Sequence, residues 1–418
     1  MISRRKMMAR GAAALASGAA LLKSMGGAGA AASAVPPATS PASFTPVITP
    51  NGGTLAWHWD GNVKVFELVA EPVKREFAPG MTVDCWGYNG QTPGPTIEAV
   101  EGDTVRLIVT NRLPEPTSVH WHGLIIPNGM DGVGGLTQPH IQPGETFVYE
   151  FTLRQHGTQM YHPHTDDMVQ MALGMMGFFI IHPKEAAPQP IRVDRDFCIF
   201  LQEWFVEPGT SRPNPMIMTD FNLFTLNSRV YPGTDPLVVR QGQRVRIRYA
   251  NLSMDSHPIH MHGHRFEVTG TDAGDVPESA RWPQVTVDVP VGATRAIEFV
   301  ADNPGDWPLH CHKNHHAMNA MSHDVPNLIG ADLSKVNRQI ERLLPQYMAM
   351  GQEGMQDMGQ MRMELPRNTL PMMAGQGPYG SIGMGGMFTL LKVREGITHF
   401  EDPGWYQQPP GTTVKMAK

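Results

Sequence analysis

Glu101-Gly-Asp-Thr-Val-Arg-Leu-Ile-Val-Thr-Asn111 recurs 140 residues later as Gln241-Gly-Gln-Arg-Val-Arg-Ile-Arg-Tyr-Ala-Asn251, with Gly, Val, Arg and Asn in the same places. The offset also carries His120-Trp-His-Gly123 onto His260-Met-His-Gly263. Further on it widens to 148, so that Glu150-Phe151 falls on Glu298-Phe299 and Tyr161-His-Pro-His164 on Leu309-His-Cys-His312. A repeat this long marks a copied domain rather than a solenoid unit. In each copy, β-branched and partly alternating runs are cut by Gly-Asp and Pro-Gly turns, which reads as short strands. Gly 43 and Pro 37 in 418 residues, about 19% against a usual ~12%, punctuate the chain in the same sense. The expected fold is all-β, with two Greek-key sandwiches or barrels. Domain 1 is placed at about 45–188 and domain 2 at about 189–335.

Composition narrows the function. A net charge of −6 leaves no basic footprint for nucleic acid. Three Cys cannot build a disulfide scaffold. Cys85 and Cys198, one per copy, read as buried unpaired thiols in preference to a bridge. Met 28 and His 18 beside so few thiols point to a soft or borderline metal. The N-terminus carries Ser3-Arg-Arg-Lys6, a small apolar run over 11–22 and Ala32-Ser-Ala34, a signal peptide over 1–34. Its paired arginines favour the twin-arginine route over ordinary secretion. The mature chain is therefore expected in the periplasm or outside the cell. The apolar run is too short to span a bilayer, and nothing later is apolar enough to anchor the chain in a membrane. Residues 336–418 match neither copy. They open with helical spacing (Val336, Ile340, Leu343, Leu344) and continue through Gly-rich chain with Met355, Met358, Met361, Met363, Met372, Met373, Met384 and Met387. A strand-like Phe388–Val393 and a Pro-rich end follow.

Eight histidines form four H-x-H pairs, His120/His122, His162/His164, His260/His262 and His310/His312. On a strand, residues i and i+2 share a face, so each pair presents two imidazoles together. Imidazole suits copper, zinc, iron and nickel, and scattered histidines do not explain four pairs repeated through a duplication. Domain 2 adds a second constellation. His257 stands three residues before His260, Cys311 lies between His310 and His312, and His316 and Met321 follow Cys311 by five and ten. Two His, a Cys and a weak axial Met are the donors of a blue copper electron-transfer site. The matching positions in domain 1 hold Thr117, Pro163, Met168 and Leu173, none of that set. One electron-entry site and a cluster drawn from both domains are thereby separated, with Cys311 covalently joined to two cluster histidines. His315 adjoins His316, but the spacing selects His316.

His120-Trp-His-Gly123, His162-Pro-His164, His257-Pro-Ile-His-Met-His-Gly263 and His310-Cys-His-Lys-Asn-His-His-Ala-Met-Asn-Ala-Met321 resemble the multicopper oxidase family over about residues 80–325. The resemblance implies cupredoxin domains and four coppers per chain, with O2 reduced to water at a trinuclear cluster. It implies type 1 ligands His257, Cys311, His316 and Met321, and type 2 ligands His120 and His260. His122, His162, His164, His262, His310 and His312 would hold the type 3 pair. His164 to His257 spans only 93 residues, which leaves no room for the third domain of commoner members. The chain thus looks like the two-domain, laccase-like type, whose members are homotrimers with each cluster between domain 1 of one subunit and domain 2 of the next. Asp131 resembles a family carboxylate that relays protons; the alternative is a turn Asp before Gly. The Met-rich extension reads either as a Cu(I) recruiter, making the enzyme a cuprous oxidase for copper tolerance, or as adaptable packing. Axial Met321 favours Cu(I) or electron-rich phenols as donors. The rivals are a copper-sequestering protein without turnover and a copper nitrite reductase, whose blue-site ligands belong in domain 1.

Overall fold

The computed structural model describes residues 44–184, 192–318, 342–343, 367–370 and 375–417. The expected signal segment 1–34, Met321, most of the Met-rich stretch and nearly all of the helical spacing after Ser334 lie outside the described residues. The regular elements of the rest are almost all strands, in two sandwiches within one compact unit.

The repeated motif forms the same strand in both copies. Thr104–Asn111 alternates half-buried and buried positions, as a strand with one face on a core must. It runs parallel to Val63–Ala78 and antiparallel to Thr146–Thr152. Arg244–Asn251 likewise runs parallel to Arg195–Trp204 and antiparallel to Ala293–Val300. The cross-strand pairs are duplicated too: Arg106 meets Glu150 and Arg246 meets Glu298 in register. At the strand ends, the buried amides of Asn111 and Asn251 clamp equivalent loops. Asn111 donates to the carbonyls of Glu115 and Ile141, and Asn251 to those of Asp255 and Val289. Each amide oxygen accepts an N–H two residues on, from Leu113 or Ser253. A buried amide satisfied on both sides ties strand to loop, which explains why the repeat retains Asn here.

Domain 1 packs its five-stranded sheet on a three-stranded one (Gly94–Val100, Gly177–His182, Gly157–Tyr161) around Phe66, Leu107, Trp121, Tyr149 and Phe179. Domain 2 packs an eight-stranded sheet on a five-stranded one around Phe197, Ile247, Ile259, Phe299 and Leu391. Two expected boundaries shift. Val47–Ile48 pairs with Arg195–Trp204, so the start of the described chain adds to the second sandwich. Phe388–Arg394 is a strand, as expected, but no appendage: it runs between Leu237–Arg240 and Gly305–Cys311 and completes the domain 2 sheet. Its seven residues are all buried, as a strand flanked on both sides requires. Cys85 and Cys198 are free, and each is buried in a different apolar cluster.

The sandwiches are joined by buried polar groups. Arg248 of domain 2 grips Asp196 with Nε and Nη2 and donates from Nη1 to Thr158 of domain 1. Thr294 donates to the Thr158 carbonyl. At the rim, His156 lies between Glu101 of domain 1 and Asp275 of domain 2, at 3.0 and 3.2 Å.

Candidate metal centres

The four H-x-H pairs come together as two quartets built alike. His120 and His162 face each other across an antiparallel bridge and exchange both backbone hydrogen bonds. His260 and His310 are opposite one another in the ladder between His257–Met261 and Gly305–Cys311. The second histidine of each pair projects on the same face. Ring centroids in the domain 1 quartet are 5.3 Å apart for His120–His162 and 5.4 Å for His122–His162. In domain 2 the corresponding separations are 5.6 Å for His260–His310 and 5.3 Å for His262–His310. Two ring nitrogens converge to 3.2 Å in each, His122 Nδ1 with His162 Nε2 and His262 Nε2 with His310 Nε2. Among the described residues, no ring contact or hydrogen bond joins one quartet to the other.

Backbone carbonyls orient these rings. His120 Nδ1 donates to the Asp131 carbonyl at 2.8 Å and His260 Nδ1 to that of Val285 at 2.7 Å. His162 and His310 each donate from Nδ1 to the carbonyl one residue on, Pro163 and Cys311, both at 2.9 Å. A proton held on Nδ1 leaves Nε2 bare for a metal. Burial lowers His162 to about 3 and His310 to about 4, and lowers His122 and His262 as well. All four are neutral at pH 7, the state a ligand needs. The Asp131 carboxylate stands 3.6 Å from His120 Nδ1, beside the first quartet.

The second constellation closes in domain 2. Cys311 Sγ lies 3.8 Å from His257 Nδ1 and 3.8 Å from His316 Nδ1, and the two nitrogens are 3.1 Å apart. One point in that triangle is about 2 Å from all three atoms, a metal–imidazole bond length. Two imidazoles and a thiol in trigonal array suit copper, so the donors fit the ion. All three side chains are buried, and Phe224 stacks on the His316 ring at 4.2 Å. Burial pushes the Cys311 thiol up to about 12, His316 down to about 4 and His257 well below its usual value. In domain 1 the equivalent place is filled: Thr117 donates to Gln170 at 2.7 Å, with both residues buried beside Leu173.

Glu203 is a neighbour of the triad that sequence reasoning missed. Its Oε1 stands 3.7 Å from His257 Nε2 and 3.9 Å from His316 Nδ1 and has no hydrogen-bond partner. Burial raises its carboxyl to about 7. The available signal was a charged residue in the apolar run Phe197–Trp204.

Family models described as multicopper oxidase match residues 70–186 and 207–330. The chain is similar to copper resistance protein A of Escherichia coli, 46% identical over 116 residues. That match covers 28% of this chain and 18% of the relative, so the chain spans under a fifth of it. Multicopper oxidase MmcO of Mycobacterium tuberculosis is 30% identical over 276 residues, 58% of this chain and 53% of the relative. Among solved structures, the blue copper oxidase from Nitrosomonas europaea superposes with a TM-score of 0.59 at 25% identity, covering 79% of this chain and 85% of its own. The multicopper oxidase mgLAC gives 0.58 at 27% identity, covering 82% and 89%.

Proposed function

The chain belongs to the multicopper oxidase family, and from that premise we propose an exported oxidase that couples four one-electron oxidations of Cu(I) or a phenolic donor to the reduction of O2 to two waters. One observation carries the reading: imidazole quartets stand in both domains, a thiol–imidazole triad in only one, and Cys311 links the triad to a quartet. Bound copper would supply the redox chemistry, taking single electrons at the thiolate and passing four to O2 at the cluster. His257, Cys311, His316 and Met321 would hold the type 1 ion. His120 and His260 would hold type 2, and the remaining six histidines the type 3 pair.

The chain's own groups do the rest. Cys311 is bonded through the backbone to His310 and His312, and its carbonyl accepts the His310 Nδ1 proton, which gives short routes from triad to quartet. Asp131, whose carboxylate stands 3.6 Å from His120 Nδ1, would carry the protons that water formation consumes. Because no ring contact or hydrogen bond joins the quartets among the described residues, a second copy would complete the cluster, as a closed homotrimer allows. Exposed Ile125, Leu136 and Met168 near the first quartet and Trp282 and Val285 near the second support such an interface. A role in copper tolerance is supported by the likeness to copper resistance protein A. It is also supported by the topology. The chain leaving at residue 318 returns where the Gly386 N–H meets the Ala317 carbonyl and the Met387 N–H meets that of His316. Met387, the last methionine of the Met-rich stretch, is thereby held against His316 and Cys311, and thioethers favour Cu(I). Dissolved-oxygen measurements with Cu(I) and with dimethoxyphenol test the proposal. Uptake without peroxide release is expected, slowed on the order of 100-fold in D131N with copper retained. A copper-loaded chain that consumes no O2 with either donor would mean sequestration instead.

A further inference from the structure

We infer that Glu203 is a positioning residue of the type 1 centre, fixing through one turn the outer nitrogens of both ligand imidazoles and presenting a bare carboxylate oxygen to them. This rests on the proposed copper oxidase reading. The Glu203 side chain is 1% exposed. Its Oε2 accepts the N–H groups of Met254 and Asp255 at 3.1 and 3.2 Å, which pins the turn before His257. From that turn, Ser253 Oγ reaches His257 Nε2 at 2.9 Å, and Asp255 Oδ2 stands 3.5 Å from His316 Nε2. Lys313, in the loop between Cys311 and His316, ties to the same Asp255 carboxylate at 3.2 Å. The His257 ring is therefore held by its outer nitrogen, the His316 ring faces a carboxylate with its own, and both keep Nδ1 for the ion. Such outer partners set ring orientation and tune a metal.

The internal repeat supplies a control. Leu201 pairs with Asn251 in domain 2 as Ala70 pairs with Asn111 in domain 1. Two residues further along each strand stand Glu203 and Pro72. The loop clamp by Asn is common to both copies, whereas the carboxyl occurs only in the copy with the triad, so the fold itself does not call for it. A clamp also needs just one oxygen. The second, Oε1, is left unpartnered within 4 Å of both imidazoles. Buried polar atoms are ordinarily satisfied, and exceptions cluster at functional sites. A carboxyl oxygen aimed at both rings favours the more positive, oxidised state of the ion more than an amide NH2 in its place would.

The test compares copper-loaded wild type, E203Q and S253A by the thiolate absorption band, the paramagnetic spectrum of the type 1 ion and its midpoint potential. E203Q keeps the shape and one acceptor oxygen, so it should retain copper while its midpoint rises and its spectrum shifts. S253A, which cuts the link from turn to His257 but leaves Glu203, should shift the spectrum with a smaller change in midpoint. Wild-type spectra and midpoints in both variants would overturn the inference, even with a lowered melting temperature, because a structural clamp alone lowers stability without moving the potential. If E203Q does not accumulate, S253A decides on the same readouts. A wild-type chain with no thiolate–copper band at all would overturn the oxidase reading rather than this one.

Discussion

Replacing Cys311 by Ser should remove the blue absorption near ~600 nm, drop the copper content by one per chain and reduce O2 uptake to that of the metal-free protein, while the other coppers remain. The sulfur is one of three atoms in the triad, and a hydroxyl oxygen is a poor donor to a site selected for softness. The eight quartet histidines do not touch Sγ, so their ions should persist, as spectra of the variant can check. The surroundings also fix how the wild-type site responds to pH. In the metal-free chain, burial holds the Cys311 thiol protonated, up to about 12, while His257 and His316 are already neutral. Copper must displace the thiol proton, so uptake releases protons and apparent affinity falls as pH falls. The imidazoles add competition only at acidic pH, near 4 for His316. A copper titration repeated between pH 5 and 8 reads that slope; an affinity indifferent to pH would contradict a buried neutral thiol as the ligand.

The second large effect concerns where the cluster is built. H120A/H162A disables the first quartet and H260A/H310A the second, so each variant alone should be inactive towards O2. Expressed together, they should recover activity. If the cluster lies between domain 1 of one chain and domain 2 of the next, random mixing gives one intact interface in four, hence about a quarter of wild-type turnover. The intact domain 2 quartet in that interface sits in a chain whose triad is also intact, so its electron supply is preserved. If both quartets of one chain met each other instead, no mixture could rebuild a cluster and recovery would be nil. Within the chain, the quartets share no contact among the described residues, which is the basis of the expectation.

Much of this architecture is legible in the sequence because the chain carries its own control. The two Asn positions, the Arg–Glu cross-strand pairs and the H-x-H doublets recur in order, and in the structure they occupy equivalent places. The triad was legible from spacing, since Cys311 ends a strand, His316 lies in the short loop that follows it, and His257 stands in the strand antiparallel to that of Cys311. Two features were not legible. The strand Phe388–Arg394 sits between neighbours about 80 and 150 residues away in sequence, and hydrophobic pattern alone cannot assign a sheet position across such gaps. Glu203 was missed because a single carboxylate inside an apolar strand has no periodic or spaced partner. Its relation to His257 and His316 exists only once the Arg195–Trp204 and Arg244–Asn251 strands pair.

One determination bears on the whole account: copper per chain, measured together with the optical and paramagnetic spectra of the purified protein. Four coppers per chain are predicted, one with a thiolate band and the narrow hyperfine splitting of a type 1 ion, one with an ordinary type 2 signal and two silent as a coupled pair. A chain that loads fully yet binds one copper or none, or that shows no thiolate band, would contradict it.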